Sequence, residues 1–275
     1  MTSLIPGRRP KLIGTDLDGT VVSHYGIVSD RTVAAFTAAH ELGIEIFYVT
    51  GRPPRWMPEV LERFKIGSAI CANGALLFDL QNQKVLEEWS ISIEDQENLV
   101  NILREKIPNI SFAVEYDGDF HHEKSYIPRW DVGVDNAPVE KIEERIIKPA
   151  YKMLARCSNY DLTSDEMLEI AHQNVGHIAT ITHSNPSESL LEISAFGVSK
   201  GETLAKIAER AGIGAADAVT FGDNPNDFSM LRWAERSWAM SDGHPEGKLH
   251  AKFVADAHQE DGVAKVIEQL LALPE

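Results

Sequence analysis

The stretch KLIGTDLDGTVVS, residues 11–23, runs an apolar segment straight into two acids. Leu12-Ile13-Gly14-Thr15 has the composition of a short buried strand, and Asp16, Asp18, Gly19 and Thr20 end and turn it. Two positions along a strand span about 6.6 Å on one sheet face, so the two carboxylates repel unless a positive charge lies between them. A second apolar lead, Ala218-Val219-Thr220-Phe221, delivers Asp223, Asn226 and Asp227 into a turn built from Gly222 and Pro225. If the two strands lie close together, three or four carboxylates converge at one sheet edge. A divalent cation resolves that crowding, and all-oxygen donors of this hardness suit Mg²⁺. Taken singly, each cluster also reads as turn chemistry, because Asp, Asn and Gly are good turn residues.

Outward from these strands, the first third of the chain alternates short apolar runs with helical patterns. Residues 30–43 have helical periodicity and a glycine stop, 44–51 form a second buried strand, and PRWMPEVLERF predicts a helix. SAICANGALLF, 68–78, reads as one more strand. Strand–helix–strand alternation predicts a parallel sheet with right-handed crossovers, whose ligands bind beyond the carboxyl ends of the strands. The middle differs. A helix over 91–107 is followed by a hairpin around Asp117-Gly118, a strand over 148–158, a helix over 163–176 and two further strands. From residue 199 the α/β rhythm resumes. The expectation is one doubly wound α/β core, residues 1–84 and 191–275, with an inserted α+β cap at 85–190.

The charge balance excludes some functions. Against 42 acidic residues stand 26 basic ones, a net charge of −16, which lacks the basic footprint a nucleic acid or anionic membrane requires. Cys71 and Cys157 give neither a disulfide framework nor zinc spacing. No apolar run is long enough to span a bilayer, and the N-terminal residues lack a signal-peptide core, so a cytoplasmic protein is expected. No Walker A or G-x-G-x-x-G pattern occurs, and the loop after Asp16 lacks the glycine and glutamate positions of an EF-hand.

Two further segments carry chemistry. In VTGRP, 49–53, the Thr50 hydroxyl and free backbone N–H groups before a helix make an anion cradle. In GVSKGETL, 197–204, Lys200 falls at the start of a helix, the unfavourable end of its dipole, which an anionic partner would explain. In this order, Asp16-Leu17-Asp18-Gly19-Thr20, Thr50-Gly51-Arg52-Pro53, Ser199-Lys200-Gly201 and Gly222-Asp223 through Asp227 resemble the four motifs of the haloacid dehalogenase superfamily of phosphatases. The insert between the second and third motifs is similar to that of the Cof-type branch, class IIB, with its α/β cap. Asn73-Gly74-Ala75, Leu191-Glu192-Ile193 and Asp261-Gly262-Val263-Ala264 add to the match. AMSDGHPEG, 239–247, departs from it: Asp242 stands where that branch has an amide.

The resemblance implies roles. Asp16 would be the nucleophile that forms an aspartyl-phosphate, and Asp18 the general acid and then base. Mg²⁺ would be held by Asp16, the backbone carbonyl of Asp18 and Asp223. Lys200 would bind both nucleophile and phosphate. Thr50, Asn226 and the N–H groups of Leu17 and Gly51 would donate to the transferring oxygens. Asp227, also a candidate helix cap, would orient Lys200, and Thr20 would support the first loop. Dehalogenases of the superfamily lack the second Asp and use no metal, so phosphoester hydrolysis is the implied reaction. A phosphomutase using the same intermediate, or a silent phospho-ligand binding module, remains an alternative. The substrate would be a small phosphorylated metabolite, a sugar phosphate or a phosphorylated cofactor; oligomeric state is not legible. In DFHHEKSYIPRWDVG, 119–133, the side chains of His121, His122, Lys124, Tyr126, Arg129 and Trp130 have the character to read hydroxyls, a ring or a second phosphate. The preferred reading is a hairpin whose aromatics pack the cap.

Overall fold

The computed structural model describes residues 7–275 other than His24, Tyr25, Ile27, Trp130 and Tyr160, together with all their side chains but those of Glu59 and Leu61. The first acids sit at the end of β1 (Leu12–Thr15), whose four residues are all buried. Next come α1 (Asp30–Glu41), β2 (Glu45–Val49) and the short α2 (Pro58–Leu61). The predicted helix around residues 54–64 is thus a 3-10 turn, Pro54–Trp56, and one helical turn, because Pro58 lacks the N–H a continuous helix needs. β3 (Ser68–Cys71), β4 (Leu76–Asp79) and β5 (Lys84–Glu88) follow.

The single strand expected over 68–78 is two antiparallel strands instead. Ala72, Asn73 and Gly74 all have positive φ and reverse the chain between them. Gly74 is required there on two counts: its φ is +109°, and a Cβ would lie 2.4 Å from the Ser199 carbonyl oxygen.

The second layer contains α3 (Ile93–Lys106), β6 (Ile110–Tyr116), β7 (Asp119–His122), β8 (Lys152–Cys157), α4 (Ser164–Val175), β9 (Ala179–Thr182) and β10 (Leu190–Ala195). Asp117 and Gly118 carry φ of 52° and 82°, the double left-handed geometry that closes a tight hairpin as the sequence predicts. The chain ends with α5 (Lys200–Arg210), β11 (Ala218–Gly222), α6 (Phe228–Trp233), β12 (Arg236–Met240), α7 (Gly247–His250), β13 (Phe253–Ala255) and α8 (Gly262–Leu271).

Among the described residues the strands form two sheets, ordered β13-β12-β11-β1-β2-β3-β4-β5 and β7-β6-β8-β10-β9. The first is parallel from β13 to β3 and antiparallel beyond. Helices α1 and α8 cover one face, packing Phe36 and Ile267 around Ile13, Tyr48 and Phe221. Leu204 of α5 and Met230 of α6 cover the other face, against Leu12, Phe47 and Val49. Burial on both faces explains why these strands read as unbroken apolar runs. The fold is the doubly wound α/β core plus cap that the sequence predicts. β5, which the 84/85 division cuts, belongs to the large sheet, and β10, counted with the core from residue 191, pairs with β8 and β9. Among the described residues no helix is long and apolar enough to cross a membrane.

In the second sheet side chains alternate strictly. Met153, Ala155 and Cys157 of β8 and Leu191 and Ile193 of β10 pack under α3 and α4. Their neighbours Lys152, Leu154, Arg156 and Glu192 therefore point the other way, yet they too are buried. That buried, partly charged face looks onto the first sheet's edge.

The first turn of α5 is fixed against α6 at Gly201, where a Cβ would lie 2.4 Å from the backbone carbon of Ser229. Gly201→Ala is expected to lower unfolding stability by about 1–3 kcal/mol, since backbone rather than a flexible side chain must move. Urea unfolding measures it; an unchanged midpoint would contradict the contact.

Candidate active site

Register decides what meets at the carboxyl edge. Thr15 pairs with Phe221 on one side and Tyr48 on the other, so Asp16, one residue on, and Asp223 and Thr50, two residues on, emerge at the same edge. The Asp16 N–H still donates to the Phe221 carbonyl at 3.0 Å, which extends the ladder to the acid itself.

Lys200, fully buried at the start of α5, stands among these acids. Its Nζ donates to Asp16 Oδ1 and to Asp227 Oδ1, each at 2.6 Å. Burial opposes the ammonium charge, but Asp16 and Asp227 outweigh it and hold the lysine pKa above its ordinary value. The second oxygen of Asp227 accepts the N–H groups of Asp223 (2.9 Å) and Asn224 (3.0 Å), so Asp227 both orients the lysine and folds the β11 turn.

Asp16, Asp223 and Asp227 offer carboxylate oxygens within 4.8 Å of one another, a group that could hold a metal ion. Asp227 is the poorest donor of the three, because its two oxygens already serve Lys200 and the two backbone amides. Asp16 and Asp223 are left with the open lone pairs. Burial pushes the Asp16 pKa up to about 7, with Asp227 adding to the rise and Lys200 opposing it. Asp223 is also raised, by burial first and then by Asp16 and Asp227. One lysine is thus too little positive charge for three buried acids, and a bound cation fits the deficit.

The surrounding residues complete the edge. Thr20 Oγ1 donates to Asp223 Oδ1 at 3.2 Å, and Leu17 anchors the first turn with its side chain in the core. The turn also exposes Asp18, whose two oxygens are gripped by the Arg52 guanidinium at 2.8 and 2.6 Å. Thr50 Oγ1 accepts the Arg52 N–H at 3.1 Å, which leaves its own proton to be donated elsewhere. Gly51 lies against Asn73, Glu192 and Asn226, whose atoms would be 3.2–3.7 Å from a Cβ placed there.

A chain of polar contacts unforeseen in the sequence runs from this loop into the second sheet. Asn226 Nδ2 donates to Asn73 Oδ1 at 3.1 Å, and Asn73 Nδ2 to Glu192 Oε2 at 2.9 Å. Glu192 pairs with Lys152, whose ammonium also donates to the Gly51 carbonyl at 3.0 Å. Burial raises the Glu192 pKa, but Lys152, with help from Ser184 and Lys200, reverses this and holds it below the ordinary value. Asn73 and Glu192 lie in motifs noticed in the sequence, yet only the alternation of charged and apolar residues in β8 and β10 hints at such a contact.

The two sheets enclose a cavity of about 910 Å³, with Asp16, Asp18, Asp223 and Asn226 at its floor. Of the six candidates at 119–133, Tyr126 and Arg129 line it. His121 rests instead on Tyr116, with ring centroids 5.0 Å apart, and His122 bonds the Glu123 carbonyl at 2.8 Å. Lys124 pairs with Glu140, and Trp130 lies outside the described residues. Tyr126 also packs against Phe120 and Leu154, so the aromatics serve the cap as well as the cavity. The divergent 239–247 loop buttresses the metal-competent turn: His244 N–H donates to the Asp223 carbonyl at 2.7 Å, and Gly243 allows that approach. Asp242 reaches the cavity wall and contacts His258 Nδ1 at 2.7 Å.

Comparison with known proteins agrees in kind. The family described as haloacid dehalogenase-like hydrolase matches residues 13–267. The 5-amino-6-(5-phospho-D-ribitylamino)uracil phosphatase YcsE of Bacillus subtilis is 28% identical, with 94% of each chain covered. The pyridoxal phosphate phosphatase YbhA of Escherichia coli is 25% identical, over 94% of this chain and 97% of its own. Among solved structures, the HAD subclass IIB sugar phosphatase BT4131 superposes with a TM-score of 0.77 at 26% identity, covering 94% of this chain and 98% of that one.

The acids predict a pH-dependent response to metal. Asp16 keeps its proton to about pH 7 in the fold, against 3.8 for an ordinary aspartate. In the metal-free protein its contribution to stability is therefore complete below the lower value and is lost as pH rises through the upper one. A divalent cation competing with that proton should raise the unfolding temperature more at about pH 8 than at about pH 5.5. An equal or larger rise in acid would contradict a site built on these carboxylates.

Proposed function

The chain belongs to the haloacid dehalogenase-like hydrolases, and from that footing we propose that it is a Mg²⁺-dependent phosphatase of a small phosphorylated metabolite, acting through an aspartyl-phosphate on Asp16. The observation that carries this reading is the buried Lys200 bridging Asp16 and Asp227 beside Asp223, at the floor of a cavity of metabolite size. Mg²⁺, held by Asp16, Asp223 and the backbone carbonyl of Asp18, would supply the positive charge against which a carboxylate and a phosphate dianion can approach.

Asp16 Oδ2, which Lys200 does not bond, attacks phosphorus as the bond to the leaving oxygen breaks. Lys200 has three ammonium protons and spends two on Asp16 and Asp227, so one remains for a phosphoryl oxygen. The Thr50 hydroxyl, the Gly51 and Leu17 N–H groups and the Asn226 amide would provide the other donors, preorganised where charge develops. Asp18 would give its proton to the leaving oxygen. It would then recover one from the water that attacks the phosphoryl group and frees Asp16. Arg52 forks on both Asp18 oxygens and favours the charged form, so the carboxylate must leave that fork before it can carry the proton.

The cap would begin after β5 and include β10, so that Lys152 and Glu192 face the phosphate loop from the substrate side. A closed cavity suits diffusible metabolites rather than protein substrates. Cytoplasmic location is part of the proposal, and two free, buried cysteines fit a reducing compartment.

The test is hydrolysis of p-nitrophenyl phosphate with Mg²⁺ and with excess chelator. Activity should require the metal. Asp16→Asn should lower kcat at least about a thousandfold while the protein stays folded. Because it removes a buried charge, this variant should be no less stable than the parent without metal. Metal-independent hydrolysis, or substantial activity in Asp16→Asn, would overturn the reading.

A further inference from the structure

Beyond the phosphate floor, the cavity wall is rich in cations, and each of them is already engaged. Arg55 donates through Nη1 to Glu115 Oε2 at 2.5 Å and through Nε to the Val132 carbonyl at 2.7 Å. Its guanidinium also lies 5.5 Å from the centre of the Trp56 ring and 6.0 Å from that of Phe120. Arg129 donates to Glu188 Oε1 at 2.7 Å, and Arg156 approaches the other Glu188 oxygen from behind at 3.4 Å. Lys152 is committed to Glu192 and Gly51, and Arg52 to Asp18. Asp131 and Asp242 add further carboxylates, so acidic side chains outnumber basic ones around the cavity.

Resting on the phosphatase reading above, the structure assigns this outer half of the cavity to an uncharged, hydroxyl-bearing leaving group, and against one that carries a second anion. A carboxylate has about four acceptor positions, and an arginine or lysine partner occupies only some of them. The ion-paired Glu115, Glu188 and Glu192 can therefore still accept hydroxyl protons, while Trp56, Phe120 and Tyr126 offer apolar faces to a carbon skeleton. A second phosphate or a carboxylate can reach further guanidinium N–H groups, but their charge is already balanced by Glu115 and Glu188. It therefore adds an uncompensated charge beside the acids of the wall. Among the alternatives the sequence left open at 119–133, the geometry thus favours hydroxyls over a second phosphate.

Matched pairs differing only in the distal group test this in Mg²⁺ buffer. They are glucitol 6-phosphate with 6-phosphogluconate, fructose 6-phosphate with fructose 1,6-bisphosphate, and glycerol 3-phosphate with 3-phosphoglycerate. Compounds that are not turned over are measured as competitors of p-nitrophenyl phosphate hydrolysis. The uncharged member should be preferred at least about tenfold in kcat/KM or inhibition constant. Glu115→Gln, which releases Arg55, should narrow that ratio at least about threefold. Glu188→Gln, which releases Arg129, is the second variant should the first fail to fold. Parity or preference for the doubly anionic member in the parent protein overturns the inference. So does a ratio unmoved in the folded variants, or a set in which no member competes. In each of those cases p-nitrophenyl phosphate is still hydrolysed and the phosphatase reading stands. Loss of all hydrolysis with Mg²⁺ present removes that reading and this inference together.

Discussion

A single buried ammonium organises this molecule. Lys200 reaches Asp16, 184 positions away in sequence, and Asp227, 27 positions away, with equal bonds of 2.6 Å. Through Asp227 it also secures the turn that presents Asp223, because that carboxylate bonds two backbone amides of the same turn. Removing the lysine from such a buried set typically costs about 3–5 kcal/mol, since the carboxylates lose their compensation. The arrangement nevertheless sets three carboxylates against one ammonium, two positive charges short when all are ionised. Buried acids with raised pKa values are a poor way to stabilise a fold but a good way to hold a cation and a nucleophile in one place.

The larger sheet supplies the position and the smaller sheet the enclosure. Parallel register forces three strands to release Asp16, Thr50 and Asp223 at one edge, while helices cover both faces of the sheet. The second sheet turns a buried charged face toward it, with Lys152 and Glu192 tied through Asn73 to the loop that carries Gly51. The loop that carries Gly51 and the cavity wall are therefore parts of one hydrogen-bonded structure.

Much of this is legible in the sequence, for local reasons. Apolar runs ending in Asp, Thr or Gly mark strand ends, Asp117-Gly118 marks its hairpin, and helix starts carry recognisable caps such as Ser199. The acids, Thr50 and Lys200 could be nominated because each stands at such a boundary. What escaped depends on contacts between distant segments. The reversal at residues 72–75 is set by three left-handed residues and by Gly74 packing on Ser199, which no periodicity in 68–78 reveals. β10 joins the smaller sheet through pairing with β8 and β9, although its sequence runs directly on toward α5. The cavity cations Arg55 and Lys152 look like ordinary surface residues until their partners Glu115 and Glu192 arrive, 60 and 40 positions later.

The central claim is that Asp16, with its charge compensated by Lys200 and a cation, takes the phosphoryl group itself. Rapid acid quench of the protein during turnover of p-nitrophenyl phosphate, followed by mass analysis of its peptides, tests this most directly. The account predicts one phosphoryl group on the peptide containing Asp16, appearing before product reaches steady state and vanishing when substrate is exhausted. Turnover with that peptide unmodified at every time, or with the phosphoryl group on another residue, would contradict it.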